Sequence, residues 1–266
     1  MIDKLSKIVT SSGVKDFAFT AFDERVDLLS CRAISRIPQN SKTVIMIAFP
    51  YFTKEYPNRN VSYYAIVDDY HNVAKRYLEK ICNNLKTEFP NNHFEYFCDN
   101  SPIKEVYYAA KAGLGVIGKN GLLITQKYGS FVFLASIITD LELNEYSDNE
   151  IKECIGCNRC VKACVGGCIS CGKIDKQNCA SDISQRKGEL DKSQMEKIKK
   201  TGLVWGCDIC QTECPLNDFS KISPTYIPEF TQNIITNVNE NDATELCKTR
   251  AFGFRGDKVI LRNLKY

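Results

Sequence analysis

The residues of this chain best suited to chemistry are its cysteines. The 266 residues include 14 cysteines, and ten of these lie between Cys154 and Cys214. The densest run, "CIGCNRCVKAC", has the spacing C-x2-C-x2-C-x3-C. In bacterial proteins with two [4Fe–4S] clusters, the first three cysteines of such a run bind one cluster and the fourth binds the other. The spacing therefore predicts two [4Fe–4S] clusters that relay electrons.

A second, shorter run, "GCDICQTECP", supplies the remaining ligands. The predicted ligands of the first cluster are Cys154, Cys157, Cys160 and Cys214. Those of the second cluster are Cys164, Cys207, Cys210 and one of Cys168, Cys171 and Cys179. Zinc is the competing interpretation, but zinc ribbons typically pair C-x2-C with C-x2-C and do not need the longer run.

Composition sets the context for these ligands. Hydrophobic residues make up 44% of the chain, which is enough for one sizeable core, or for a core plus a small second domain. The formal net charge is +3 and no basic run reaches five residues, so any contact with RNA must use a folded surface. The first residues, "MIDKLSKIVTSSGVKDF", lack a secretory signal, and no apolar stretch approaches the ~18 residues of a membrane span. A cytoplasmic protein without a membrane partner is expected, and in that reducing compartment metal ligation is favoured over disulfides.

The part before the cysteines is predicted to be a mixed α+β domain. Apolar and alternating segments predict strands at 16–22, 42–51, 93–99, 122–125 and 130–139. Helices are predicted at 63–86 and at 101–113, the second with Ser101 and Pro102 as its start and Gly113 as its stop. The polar segment "NEYSDNE" marks a boundary near residue 150. We expect domains at 1–150 and 151–220, and a C-terminal extension at 221–266 that packs on the core.

Two features outside the cysteines have both a structural and a functional interpretation. Asp99 lies between a predicted strand and the Ser101 helix start, where a carboxylate commonly caps a helix. The segment "GLGVIGKNG" (113–121) matches neither a dinucleotide-binding fingerprint nor a phosphate loop. It is either a connection between helix and strand or a place where the backbone closely approaches a ligand.

Several motifs in a fixed order resemble the epoxyqueuosine reductases. They are "DDYHNVAKRYLEKI", "CDNSPIKEVYYAAKAGLGVIGKNGLLITQKYGS" and "GCDICQTECPLN", within residues 40–220. The resemblance implies a nitroreductase-like cobalamin-binding domain, similar to that of the reductive dehalogenases, followed by a ferredoxin-like domain with two [4Fe–4S] clusters. It implies an oxidoreductase that converts epoxyqueuosine to queuosine in the tRNA anticodon loop, as a monomer supplied by an external low-potential electron donor. One departure is Val165, where the family usually has proline.

The resemblance also implies roles for individual residues. Asp99 would donate a proton to the epoxide oxygen, and Lys187 would contact tRNA. Cys179, in "NCASDISQRKG", would be the fourth ligand of the second cluster, which leaves Cys168 and Cys171 as bystander thiols. The implied cobalamin contacts are Arg32, Ser62, Tyr70, His71, Leu123, Leu134, Ile137, Ser181 and Asp208. Core packing for the apolar members and a solvated surface for Lys187 are the alternatives.

Two other functions remain open at this point. A corrinoid iron–sulfur reductase could act on another small substrate such as an organohalide, although dehalogenases usually carry a twin-arginine export signal that is not seen here. Alternatively, the chain could be an electron-transfer protein whose first domain only docks a partner.

Overall fold

A computed structural model describes residues 1–24, 26, 28–147, 149–170 and 173–266. By internal contacts the chain divides into two compact, interleaved units. Unit 1 comprises Met1–Phe49, His71–Ile117 and Val132–Lys152. Unit 2 comprises Pro50–Tyr70, Gly118–Phe131 and Glu153–Tyr266. The functional division expected at 1–150, 151–220 and 221–266 stays a prediction.

The secondary structure is mixed α/β. The strands are β1 (Phe17–Ala21), β2 (Thr43–Pro50), β3 (Phe94–Cys98), β4 (Val116–Ile117), β5 (Leu123–Ile124), β6 (Val132–Thr139), β7 (Ile169–Ser170) and β8 (Lys173–Ile174). The α-helices are α1 (Ile2–Ser11), α2 (Tyr70–Glu88), α3 (Glu105–Lys111), α4 (Arg159–Ala163), α5 (Ala180–Ser184), α6 (Lys192–Thr201), α7 (Ile209–Thr212), α8 (Ala243–Leu246) and α9 (Asp257–Leu264). Short 3₁₀ turns occur at Arg32–Arg36, Tyr63–Ala65, Pro215–Asn217, Pro228–Phe230 and Ala251–Arg255.

Unit 1 is built on a four-stranded sheet with the order β1–β2–β6–β3. β1 pairs antiparallel with β2, and β3 pairs antiparallel with β6. All eight residues of β2 are buried, as expected for the apolar run of an inner strand. Helix α2 buries Val73, Leu78, Ile81 and Leu85, which recur at helical spacing and form one apolar face.

Two predicted helix starts are wrong, although the predicted strands lie where they were expected. The segment predicted as a helix from residue 63 first makes a 3₁₀ turn at Tyr63–Ala65, and α2 begins at Tyr70. Helix α3 begins at Glu105 instead of Ser101, because a tight turn precedes it: the Ser101 amide donates to the Asp99 carbonyl at 2.6 Å. Asp99 is therefore not the cap of this helix.

Unit 2 is organised around aromatic side chains and short elements. Phe52 and Phe219 stack with ring centroids 5.0 Å apart, and Tyr63 and Phe131 pack edge to face beside them. Fully buried Trp205 donates its indole N–H to the Tyr64 hydroxyl at 2.7 Å. Such packing fixes the loops that carry the cysteines. No helix in the described parts of the chain is long and apolar enough to cross a membrane.

Candidate functional site

The first group of predicted ligands lines one pocket of unit 2, formed in part by Cys154, Cys157, Cys160 and Cys214. Gly156 and Asn158 both have positive φ, +71° and +61°, so the chain turns sharply between successive cysteines. Helix α4 then carries Cys160, and Cys214 precedes the 3₁₀ turn that starts at Pro215. Burial raises the pKa of Cys214, and the charges of the other three cysteines raise it further, as expected for thiols gathered at one place.

The glycine-rich segment also lines this pocket. Gly118, Lys119 and Asn120 line it, and Lys119 Nζ donates to Asn158 Oδ1 at 2.7 Å. A Cβ at Gly118 would lie 3.0 Å from Ile124 Cδ1 and would collide with the Asn120 side chain. Glycine at position 118 is thus required by the close packing of the chain itself, and approach of this segment to a ligand stays a prediction.

The second group of predicted ligands also lies together in unit 2. Burial raises the pKa of Cys207 to about 12, and charges that include those of Cys179 and Cys164 add to the increase. Burial likewise raises the pKa of Cys210, followed by the charges of Cys207 and Cys179. The structure therefore places Cys179 beside the other three predicted ligands of the second cluster.

Several hydrogen bonds converge on the sulfur of Cys164. Burial raises its pKa, but hydrogen bonds from the Cys168 amide and thiol and from the Gly166 and Gly167 amides outweigh burial and lower it. A Cβ at Gly166 would collide with the Asn178 carbonyl, so only glycine lets this loop approach the segment that carries Cys179. This close approach brings the loop after Cys164 next to the segment of Cys179, although the two cysteines are 15 residues apart in the sequence.

The arrangement differs from a single-ion site. Within the described ranges, no three His, Cys, Asp or Glu side chains are positioned to hold one metal ion. A [4Fe–4S] cube binds each of its four thiolates through a different iron, so its ligands surround a volume and do not converge on a point. Four sulfurs gathered at each of two places fit that requirement.

A buried ion pair fixes the loop between the ligands of the second group. Asp208, only 1% exposed, accepts a hydrogen bond from Arg59 Nη2 at 2.8 Å, and the Arg59 side chain is 12% exposed. The Asp208 carboxylate also accepts the Tyr63 amide at 2.8 Å. Burial raises the pKa of Asp208, while Arg59 and these hydrogen bonds oppose the increase.

Asp99 lies at the end of β3 in unit 1, with φ at +64°. Its Oδ2 is 3.3 Å from His71 Nε2 on α2. Glu105 at the start of α3 lies near enough for its charge to interact with Asp99: burial raises the pKa of Glu105 well above its usual value, and Asp99 adds to this. The Glu105 Oε1 atom is buried and has no hydrogen-bond partner among the described residues. Three titratable side chains thus meet at one end of the sheet.

Comparisons with known proteins agree with this geometry. Residues 32–100 match the family described as "Epoxyqueuosine reductase QueG, DUF1730", and residues 153–217 match the "4Fe-4S double cluster binding domain". Epoxyqueuosine reductase of Lactococcus garvieae (strain Lg2) is 30% identical over 246 residues, which cover 86% of this chain and 69% of that protein. The chain belongs to the epoxyqueuosine reductase family.

Solved structures extend the comparison to the fold. An epoxyqueuosine reductase crystallised with an epoxyqueuosine-modified tRNA-Tyr stem loop superimposes with a TM-score of 0.81 at 24% identity, covering 99% of this chain and 79% of that chain. A reductive dehalogenase whose structure is described as suggesting a mechanism for B12-dependent dehalogenation gives a TM-score of 0.51 at 14% identity, covering 80% of this chain and 31% of that chain. The epoxyqueuosine reductase fold is therefore shared across nearly the whole chain.

The residues that the family resemblance implied as cobalamin contacts occupy varied settings within each unit. In unit 1, Arg32 is exposed on a 3₁₀ turn, Leu134 is half-buried and Ile137 is fully buried. Leu134 and Ile137 lie on opposite faces of β6, because side chains alternate along a strand. Leu134 is the better placed of the two for a ligand. Their roles stay predictions.

In unit 2, Ser62 is fully buried, and its hydroxyl has no hydrogen-bond partner in the described part of the chain. Leu123 is buried in β5, and Tyr70 is half-buried at the start of α2. Ser181 lies on α5, where its hydroxyl accepts from Gln185 Nε2 at 3.4 Å. Asp208 is already engaged by Arg59, which gives it a structural role whether or not it contacts a cofactor.

Lys187 is exposed in the loop after α5. Arg262 of α9 holds this loop by donating through Nη1 to the carbonyls of Arg186 and Gly188, at 2.7 and 2.6 Å. The lysine thus projects from a fixed loop.

Sequence reasoning missed several of these partners. Arg59 and Asp208 are 149 positions apart, and His71 and Asp99 are 28 apart, so no local pattern links them. The family resemblance implies that Cys168 is a bystander thiol, but its sulfur lies 3.3 Å from that of Cys164. The sequence signal for this contact is that Cys168 lies four residues after Cys164, a predicted ligand. Cys171 lies outside the described residues.

Proposed function

We propose that this protein reduces epoxyqueuosine to queuosine in a tRNA anticodon loop, using two [4Fe–4S] clusters and cobalamin. Membership of the epoxyqueuosine reductase family and the tRNA stem loop in a related crystal structure support the reaction and the substrate. The observation that carries the proposal is the gathering of the predicted cluster ligands into two groups of four within one unit.

In this proposal the two groups form an electron relay. The first cluster binds Cys154, Cys157, Cys160 and Cys214, and the second binds Cys164, Cys179, Cys207 and Cys210. Cys157 is exposed, and the side chain of Ile155 beside it is 66% exposed. An external low-potential electron donor would therefore have access to the protein surface at the first group.

The residues present fit a large ligand such as cobalamin. The Ser62 hydroxyl is buried without a partner among the described residues, and a bound ligand would supply one. Within unit 2 the proposed contacts are Ser62, Tyr70, Leu123, Ser181 and Asp208. Within unit 1 they are Arg32, His71, Leu134 and Ile137. Bound cobalamin supplies a strongly reducing centre for two-electron chemistry.

The protein residues must manage protons. Converting an epoxide to an alkene consumes two electrons and two protons, breaks both C–O bonds and releases the oxygen as water. We assign the first protonation of that oxygen to Asp99. His71, with its Nε2 3.3 Å from Asp99 Oδ2, orients the carboxyl group and can return a proton to it.

The test of this assignment is Asp99→Asn in the reconstituted enzyme. Asparagine cannot donate an acidic proton, so turnover should fall at least ~10²-fold. Iron content and cobalamin binding should be unchanged. The matched control is Asp140→Asn: Asp140 Oδ2 lies 2.9 Å from His93 Nδ1, a second Asp–His pair near the other end of β3. Near wild-type turnover in Asp99→Asn, with both cofactors present, would remove Asp99 from the chemistry.

The whole function is tested on protein purified without oxygen. About eight iron atoms per chain, a changed cobalamin spectrum on titration, and conversion of epoxyqueuosine tRNA are the expected results. Stoichiometric zinc without iron would contradict the clusters. Cobalamin binding without tRNA conversion would favour a reductase that acts on another substrate. An unchanged cobalamin spectrum would favour an electron-transfer protein that does not bind cobalamin.

A further inference from the structure

Cys168 is a buried thiol to which the proposed function gives no role. It is 5% exposed, and its Sγ atom is 3.3 Å from the Sγ atom of Cys164. Cys164 and Cys179 both pack against the buried cluster that contains Cys168. Cys168 therefore lies among the proposed ligands of the second cluster.

The backbone holds Cys168 in this position. Gly167, with φ at +58°, turns the chain directly before it, and strand β7, which pairs antiparallel with β8, follows it. The Cys168 carbonyl accepts the Asp175 amide at 2.8 Å, which ties the residue to the position directly after β8. The thiol is thus directed at Cys164 by main-chain structure.

The short distance between the sulfurs of Cys164 and Cys168 indicates that one of them is protonated and donates a hydrogen bond to the other. Terminal sulfurs on different irons of one cube point outward from its corners, so they are separated by more than a direct contact. At 3.3 Å from each other, Cys164 and Cys168 cannot both be such ligands. A ligand is a thiolate, which only accepts hydrogen bonds, so the proton belongs to Cys168.

We propose that Cys168 donates an S–H hydrogen bond to the ligand sulfur of Cys164 and thereby raises the reduction potential of the second cluster. This rests on the proposed function, because it requires Cys164 to be a cluster ligand. On reduction the cluster gains one electron, and its sulfurs become more negative while no bond breaks. A donor to a ligand sulfur stabilises the reduced form more than the oxidised form.

The experiment compares Cys168→Ala and Cys168→Ser with wild type by potentiometric titration of the anaerobic holoprotein, followed by electron paramagnetic resonance. Alanine removes the donor, so one cluster should become harder to reduce. We expect about a tenfold lower ratio of reduced to oxidised cluster at a given potential, which is about 59 mV for one electron. The other cluster should be unchanged, and serine, which keeps an O–H donor, should lie closer to wild type than alanine.

Iron analysis separates the outcomes. With about eight irons retained in Cys168→Ala, an unshifted potential would overturn this inference and leave the proposed function intact. Loss of four irons would identify Cys168 as a ligand, which also overturns it. Cys247→Ala, a half-buried thiol of the same unit outside both groups, is the control and should shift neither potential. Wild-type protein without clusters would contradict the proposed function and this inference together.

Discussion

Replacing Arg59 by methionine tests the buried ion pair between Arg59 and Asp208, which lies between Cys207 and Cys210 in the sequence. The change removes the charge and keeps an unbranched side chain that can still pack over the Tyr63 ring, whose centroid lies 3.9 Å from the guanidinium carbon. It leaves the Asp208 carboxylate, 1% exposed, without its cation. Breaking a buried pair in this way costs about 3–5 kcal/mol.

The lower end of that range applies here. Asp208 keeps its hydrogen bonds from the Tyr63 amide at 2.8 Å and from Gln211 Nε2 at 3.3 Å, and both stabilise the remaining charge. We therefore expect a loss of about 3 kcal/mol in the free energy of unfolding. For a chain of this size this lowers Tm by about 6–12 °C.

The assay is thermal unfolding of anaerobic holoprotein followed by circular dichroism, with iron content measured first. Lys248→Met is the control: its pair with Glu245 is exposed on both sides, at 67% and 75%, and should contribute at most ~1 kcal/mol. Arg59→Met combined with Asp208→Asn removes the charge while an amide oxygen still accepts the Tyr63 amide, and should recover at least half of the loss. If Arg59→Met behaved like Lys248→Met, the reasoning about an uncompensated charge would be refuted.

Three further predictions follow from the sites described above. Cys179→Ser should lose about four of eight irons, and full iron content would show that another residue is the fourth ligand. Glu105→Gln should raise Tm at pH 8 but not at pH 4.5. Burial raises the pKa of Glu105 above its pKa in the unfolded chain, so ionisation of this carboxyl group destabilises the folded protein increasingly as pH rises above that unfolded-state pKa. Each unit of difference between the two pKa values corresponds to about 1.4 kcal/mol. Equal effects of the Gln variant at both pH values would contradict this. Lys187→Ala should weaken tRNA binding and reduce the slope of log affinity against log salt by about 0.7–0.9, whereas Lys248→Ala should not; an unchanged slope would exclude a phosphate contact at Lys187.

The strands could be predicted because they are encoded locally, and an apolar run such as that of β2 indicates burial directly. The spacing within each cysteine run limits which of its sulfurs can share a cluster, but the family resemblance was needed to choose Cys179, and both ligand sets stay predictions. The start of α3 was mispredicted for a physical reason. Ser101 and Pro102 are good local start signals, but the turn at Asp99, with φ at +64°, uses these residues and delays the helix to Glu105.

The partners of the functional side chains could not be predicted. These residues are far apart in the sequence and come together only in the folded chain. The sequence indicated Asp99 through its resemblance to a family, but His71 reaches it only after α2 has packed near the end of β3. The same holds for Arg59, because nothing in the sequence around Arg59 or around Asp208 indicates that the two residues pair. Cys168 is intermediate: its proximity to Cys164 could be suspected, whereas its orientation depends on Gly167.

The unequal exposure of the two cysteine groups has a consequence for how the protein decays in air. Cys157 is exposed in the first group, in which Cys160 is buried, whereas the four proposed ligands of the second group are all half-buried. If each group holds its proposed cluster, dioxygen and peroxide would reach the first cluster sooner at Cys157, and iron should be released in two phases. A sample aged in air would then remain brown, from the second cluster, after it had stopped accepting electrons from its donor.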